Sequence, residues 1–341
     1  MPDSVCVTIV THNSSRYIRR CLESVLDQDY SPLEVIVVDN ASTDSTRPIL
    51  CDFGSTVRVV RNESNAGFAA AQNQAIALSR SDWVLMLNPD VLLLPGFIER
   101  LVEAGGTDPR AGTVCGKLLA IGSDFAIPDE SRIDSAGMYF TPEMRHFDRG
   151  WHILDDGRFD QAEYVFGATA AAVLYRRRMI DDVSLDDGFL DPDFFVYRED
   201  ADVSWRAQLL GWRCLYSPAA VSYHVRRMVP GNRRSVPAFL NMHSVKNRFL
   251  MRVKNSTPGV YRHCWLPATL RDLMVVGGCV VLEQTSLPAF WHLAKALPSA
   301  LRKRRQIMSR RVASDEYMAR WFRPEPVAEP APELVLEKPA V

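Results

Sequence analysis

The apolar run Trp83-Val84-Leu85-Met86-Leu87 stops at Asn88-Pro89-Asp90. A short apolar run bounded by polar and turn residues reads as a buried strand, and in an open α/β sheet ligands sit beyond the carboxyl ends of the strands. Asp90 is thereby delivered where a carboxylate can hold Mg2+ or Mn2+ against a diphosphate; the same residues also suit an Asx-Pro turn that closes a strand. A second acidic group, Glu199-Asp200, falls at the start of a helix that follows an aromatic loop from Phe189 to Tyr197. Carboxylates there complement the helix dipole, and they also suit a general base for an acceptor hydroxyl. Asp200 is the base on this reading, with Glu199 beside it. Asp39 ends another apolar run, and His224 ends Val221-Ser222-Tyr223-His224. The histidine suits a metal or phosphate ligand as well as a structural hydrogen-bonder. A base must stay apart from a metal-binding carboxylate, because two acids sharing a site drive one pKa up. Asp90 and Asp200 belong to different elements.

Those positions need a scaffold, and the pattern supplies one. Val5 to Thr11 is a buried-strand run, followed by His12-Asn13-Ser14-Ser15 and a helix carrying Ile18, Cys21, Leu22, Val25 and Leu26, with Ser14 or Ser15 as its N-cap. Strands are expected over 33–38 and 57–60, a helix over 69–78 after Asn65-Ala66-Gly67-Phe68, and a helix from Pro95 with Phe97, Ile98, Leu101 and Val102. Gly112 to Leu119 is a further strand, 121–160 an irregular excursion or hairpin, and 164–175 one small-residue stretch packed under a ligand. Strand and helix alternating at these spacings predict βαβ units, an α/β fold with a mainly parallel sheet flanked by helices. No internal repeat is evident.

The chain has 341 residues, is 47% hydrophobic and carries a formal net charge of −1, which excludes a generally nucleic-acid-binding protein. Charge is unevenly spread: no acid occurs between Asp202 and Asp272, whereas Arg and Lys recur from Arg206 to Arg271. That segment is expected to face an anionic partner. Seven cysteines without a CxxC pair fit a reducing cytosol, and the start of the chain shows no secretory signal. The longest apolar run, Leu273 to Leu282, is about half the ~20 residues a spanning helix needs, so no segment is expected to cross a bilayer alone. Basic and aromatic residues through Arg311 suit a helix on anionic lipid, and equally a solvated helix packed on the catalytic unit or on a second subunit. The expected organisation is a catalytic unit over 1–230, a basic amphipathic helical extension over 231–322 and a disordered tail rich in Pro, Glu and Ala over 323–341.

Five motifs in order over residues 5–224 carry a resemblance. They are Thr8-Ile9-Val10-Thr11-His12-Asn13-Ser14, Val38-Asp39-Asn40-Ala41-Ser42-Thr43-Asp44, Asn65-Ala66-Gly67-Phe68, Leu87-Asn88-Pro89-Asp90 and Phe195-Val196-Tyr197-Arg198-Glu199-Asp200-Ala201-Asp202. Together they resemble family 2 glycosyltransferases, the rhamnosyltransferase-like branch in particular. The resemblance implies a GT-A fold, a nucleotide-sugar donor and inversion at the anomeric carbon. It implies that Thr11, Asn13, Asp39, Gly67 and Asn88 line the nucleotide site, with Asp39 accepting from a pyrimidine. It implies that Asp90, with His224, holds Mg2+ or Mn2+, and that Asp200 is the base. The Asn-Pro-Asp form resembles that of enzymes using dTDP-rhamnose, UDP-sugars being the other donor class. The acceptor implied is a cell-surface glycan or lipid-linked oligosaccharide at the inner face of the cell membrane. Two other classes remain open on sequence: a sugar nucleotidyltransferase, disfavoured because His12-Asn13-Ser14-Ser15-Arg16 lacks a glycine-rich phosphate loop, and a non-catalytic nucleotide-sugar-binding scaffold.

Overall fold

β-Branched and leucine-rich runs build one large mixed sheet, seen in a computed structural model that describes residues 2–226 and 237–331. The first half runs β1 (Val5–Thr11), α1 (Ile18–Leu26), β2 (Leu33–Asn40), α2 (Thr46–Asp52), β3 (Arg58–Asn62), α3 (Phe68–Leu78) and β4 (Trp83–Leu87). β5 (Val91–Leu93), α4 (Phe97–Gly106) and β6 (Ala111–Ala120) follow. The excursion forms β7 (Ile133–Ser135), which pairs with β6, and a hairpin of β8 (Met138–Phe140) and β9 (His146–Asp148). Then come β10 (Glu163–Val165), β11 (Ala172–Arg176), α5 (Arg177–Val183), α6 (Glu199–Leu209) and β12 (Arg213–His224). The last elements are α7 (Ala238–Asn255), α8 (Pro258–Val281), α9 (Pro288–Ser309), α10 (Asp315–Ala319) and β13 (Glu329–Pro330).

The sheet order is β13-β10-β12-β6-β11-β4-β1-β2-β3. β3, β2, β1 and β4 are mutually parallel, as are β6 and β12, and β11 lies antiparallel between β4 and β6. Helices cover both faces, which explains the unbroken apolar strands. Along β4, Trp83, Leu85 and Leu87 pack toward α1 and α4, while Val84 and Met86 pack toward α3 and α5. In-register pairing of Thr11 with Asp39 puts the ends of β1 and β2 on one rim, which the turn after β4 joins.

Four expectations are corrected. The stretch 164–175 is two strands, β10 and β11, on different neighbours, because Gly167 must approach Ser204 of α6 more closely than a Cβ allows. Part of the expected tail is ordered: β13 pairs with β10 and Arg320 bonds Glu329 at 2.7 Å. The boundary at 230 and the segment 332–341 lie outside the described residues. α8 is longer than the apolar run suggested; its 24 residues are long and apolar enough to cross a membrane by length and composition. Much of the acid-free basic segment is neutralised internally by acids distant in sequence: Arg226 bonds Asp134 and Asp148, Arg248 and Arg252 bond Asp272, and Lys254 bonds Asp191 and Asp202.

α7 and α9 are bolted to the loop before α6 by two buried lysines. Lys303 of α9 reaches Asp187 at 2.7 Å, Asp191 at 2.5 Å and Asp193 at 2.7 Å, and Lys254 of α7 bonds Asp191 and, at 2.9 Å, Asp202. Removing one partner of such a cluster strands the others in a low-dielectric site. Lys303→Ala is expected to cost about 3–5 kcal/mol in denaturant unfolding, whereas Arg19→Ala, which breaks an exposed pair with Asp52, costs under about 1 kcal/mol. Equal effects would show that the buried cluster holds nothing.

Candidate active site

The rim at the carboxyl ends of β1 and β2 is assembled by side chains that tie loops together. Asp39, fully buried, accepts from the Ser42 backbone N–H at 3.2 Å and from Thr11 Oγ1 at 3.3 Å, and its second oxygen takes Arg47 Nε at 2.6 Å. Asn13, at φ 52°, accepts from the backbone N–H groups of Thr43 at 2.8 Å and Asp44 at 3.3 Å. Asn40 donates to Asn65 Oδ1 at 2.8 Å and to the Gly67 carbonyl at 3.2 Å, and so shapes the turn into α3. Gly67 sits at φ +86°, and a Cβ there would lie 2.5 Å from the Phe195 ring. The Phe68 N–H donates to the Phe195 carbonyl at 2.6 Å. The glycine is thus required by the close approach of the aromatic loop, which joins this rim to the start of α6.

Backbone pairing brings Asp90 and His224 together. Val91 stands opposite His224 in the β5–β12 ladder, and the Val225 N–H donates to the Asp90 carbonyl at 3.0 Å. His224 Nε2 then lies 3.6 Å from Asp90 Oδ1, and its Nδ1 lies 2.8 Å from Asp134 Oδ2. Burial works against a charged imidazole, but Asp134 and Asp90 outweigh it and push His224 up to about 9. Burial likewise raises Asp134, yet His224 and Arg226 hold it near 2. The spacing fits a shared hard cation, since two ligands at about 2.1 Å each can span 3.6 Å. Binding would displace the imidazole proton, and Asp134 would fix the ring with Nε2 toward Asp90. Asp134 was not legible in sequence, because it lies in the irregular excursion, 90 residues from its partner. Another acidic trio, Asp187, Asp191 and Asp193, has ligand spacing, but the Lys303 ammonium bonds all three and serves as their cation.

Asp200 opens α6 on the same rim. Its Oδ2 accepts from the Ala170 N–H at 3.2 Å and its Oδ1 from the Ala201 N–H at 2.7 Å, while the neighbouring Ala171 carbonyl accepts from the Asn88 N–H at 2.8 Å. Two consecutive alanines therefore connect Asp200 to the Asn88-Pro89-Asp90 turn. Burial pushes Asp200 up to about 6, and burial together with Asp200 pushes Glu199 up to about 8. The loop before them is strained: Phe195, Tyr197 and Arg198 all have positive φ, 65°, 68° and 72°. α7 holds it in place. Asn247 Nδ2 lies 2.8 Å from each of the Phe194, Val196 and Tyr197 carbonyls, and the Phe195 ring stacks on His243 at 4.9 Å.

Both carboxyls bind a proton more tightly folded than unfolded. Their stabilisation is complete below the ordinary carboxylate range and is lost as pH rises through about 6 for Asp200 and about 8 for Glu199. Glu199→Gln and Asp200→Asn are each expected to raise stability at about pH 8 by roughly 1–3 kcal/mol, the gap closing toward about pH 4. Melting curves at the two pH values check this; a lower melting temperature at the higher pH would contradict it.

The model of the family described as glycosyl transferase family 2 matches residues 6–183, just over half of the chain. An N-acetylglucosaminyl-diphospho-decaprenol L-rhamnosyltransferase of Mycobacterium tuberculosis is 28% identical over 240 residues, 66% of this chain and 76% of the relative. Among solved structures, a mannosyltransferase from Pyrobaculum calidifontis in complex with GDP-Man and Mn2+ aligns with a TM-score of 0.52 at 17% identity, covering 93% of this chain and 85% of that one. GalNAc-T7 with UDP, GalNAc and Mn2+ aligns with a TM-score of 0.62 at 14% identity, covering 87% of this chain and 58% of that one. These two likenesses speak to the fold, which is GT-A. With its family match, this fold and an acid-bearing rim at the carboxyl ends of the strands, the chain belongs to glycosyl transferase family 2 as a rhamnosyltransferase-like enzyme.

Proposed function

We propose that the enzyme transfers a sugar, rhamnose from dTDP-rhamnose as the best candidate, to a hydroxyl of a cell-surface glycan or lipid-linked oligosaccharide, with inversion at the anomeric carbon. The observation that carries this reading is Asp200, half-buried at the start of α6 with its carboxyl raised only to about 6 and tied by Ala170 to the rim that bears Asp90. A group with that pKa is mostly ionised at neutral pH and basic enough to accept a hydroxyl proton in the transition state. The acceptor oxygen bonds to the anomeric carbon as its proton passes to Asp200. The bond from that carbon to the diphosphate oxygen breaks, and the electron pair leaves with the nucleoside diphosphate. Glu199 stays protonated at neutral pH, so that one anion rather than two occupies the helix start.

Thr11, Asn13, Asp39, Gly67 and Asn88 line the nucleoside and diphosphate side, and Asp90 with His224 would hold Mg2+ or Mn2+. That ion, when bound, supplies neutralisation of the departing diphosphate. The solved relatives with GDP-Man and Mn2+ and with UDP and Mn2+ support a metal-assisted nucleotide-sugar donor. The relative named for decaprenol-linked rhamnosyl transfer supports the donor sugar and a lipid-linked acceptor.

The test is turnover against dTDP-rhamnose and UDP-sugars with lipid-linked acceptors. Asp200→Asn is expected to lower kcat by at least about 100-fold with donor binding retained. In the wild type, activity is full above the Asp200 pKa and falls about tenfold per pH unit once pH drops below about 6. Turnover of Asp200→Asn within a few-fold of wild type would move the base elsewhere.

A further inference from the structure

α8 has one face locked to the protein and one face that the described residues leave largely open. On the inner face Val260, Cys264 and Ala268 belong to a cluster with Leu250 and Met251 of α7, and Cys279 packs with Met242 and Val245. Asp272, midway along, holds Arg248 and Arg252; His263 Nε2 bonds the Phe322 carbonyl at 3.1 Å, and the Gly259 N–H bonds Asp315 at 3.0 Å. On the outer face Leu266, Leu270, Leu273, Met274, Val280 and Val281 are all at least half exposed. Their spacing follows one side of a helix. Only 17% of the most apolar stretch of α8 is buried, and soluble monomers rarely leave so continuous an apolar face to water.

We infer that this outer face docks on an anionic lipid bilayer, with α8 lying in the membrane plane instead of spanning it. The locked inner face decides the orientation, because a spanning helix would have to carry the Asp272 ion pairs and the α7 contacts into hydrocarbon. Charge decides the occupant. The exposed charged residues of α8 and α9 are Arg262, Lys295, Arg302 and Arg305, all basic. Anionic headgroups complement them, whereas a second copy of the same face would set cations against cations. Trp265 and Trp291 are exposed at 53% and 63%, and Lys295 lies 4.9 Å from the Trp291 ring; indoles beside cations suit the headgroup boundary. Since much of the basic segment upstream is neutralised by internal acids, apolar contact supplies most of the affinity, and docking resists salt. α7 holds α8 on one side and the loop before Asp200 through Asn247 on another. Docking would therefore set the site at a fixed height for an acceptor carried in lipid.

The docking is independent of the glycosyl-transfer reading and is tested apart from it. The full chain is floated with vesicles of phosphatidylcholine and phosphatidylglycerol at low and high salt. It is expected to float in both, and the combined variant L270E/L273E/M274E to lose at least about tenfold in bound fraction while melting curves and nucleotide binding stay unchanged. Failure of the folded wild type to float, equal flotation of the variant, or release at high salt would overturn the inference. So would a dimer of the wild type that the variant dissociates, which would assign the face to a second copy. Nucleotide titration of the same samples separates the two claims, since binding without flotation removes the docking alone, and flotation without binding removes the donor reading alone.

Discussion

Two ammonium groups buried among four carboxylates fix the geometry on which the rest of the molecule depends. Lys254 and Lys303 are 0% and 1% exposed; they share Asp191, and Lys254 also holds Asp202, both aspartates being fully buried. Burial alone would push the Asp191 carboxyl up; Lys254 and Lys303 outweigh it and hold it well below the usual carboxylate range. Such a cluster adds little net stability over an apolar core of the same volume, but it tolerates only one arrangement. It therefore sets where α7 and α9 lie against the loop from Asp191 to Arg198. With Asn247 on the Phe194, Val196 and Tyr197 carbonyls, it maintains positive φ at Phe195, Tyr197 and Arg198 and so the position of Asp200. The C-terminal helices are in this sense part of the catalytic fold.

The site keeps its acids in two electrostatic environments. Around Asp90, cations dominate: His224 is pushed up to about 9, and Arg226 bridges Asp134 to Asp148. At the start of α6, burial dominates and both carboxyls rise. Environments that separate the pKa values of neighbouring acids can divide labour between them, and in the proposed reaction one group serves a cation and diphosphate, the other a proton. The alanines between β10 and β11 hold the two environments on one rim while keeping their carboxylates on separate elements.

Much of the sheet, the helix that begins at Glu199 and the convergence of Asp90 with His224 were legible in the sequence. Strands flanked by turn residues carry a local signal, and strand ends in a parallel sheet point to one rim. The partners of charge were not legible. Lys303 and Asp191 are 112 residues apart, and nothing local distinguishes a lysine that will be buried from one that will be solvated. For the same reason a segment without acids read as an anion-seeking surface, when its acids arrive from β7, β9, the loop before α6 and α8. A helix over 265–282 was legible, but its potential as a membrane span was not, because Arg271-Asp272 interrupts the apolar run; the pair is accommodated because Asp272 turns inward to Arg248 and Arg252.

A calorimetric titration with dTDP, UDP and GDP, each with and without Mn2+, tests the account most directly. One diphosphate should bind tightly only when Mn2+ is present, and Asp90→Ala should abolish that dependence while leaving the fold intact. Absence of binding to all three by folded protein, or Mn2+-dependent binding unchanged in Asp90→Ala, would contradict the site placed at the carboxyl ends of β1, β2 and β4.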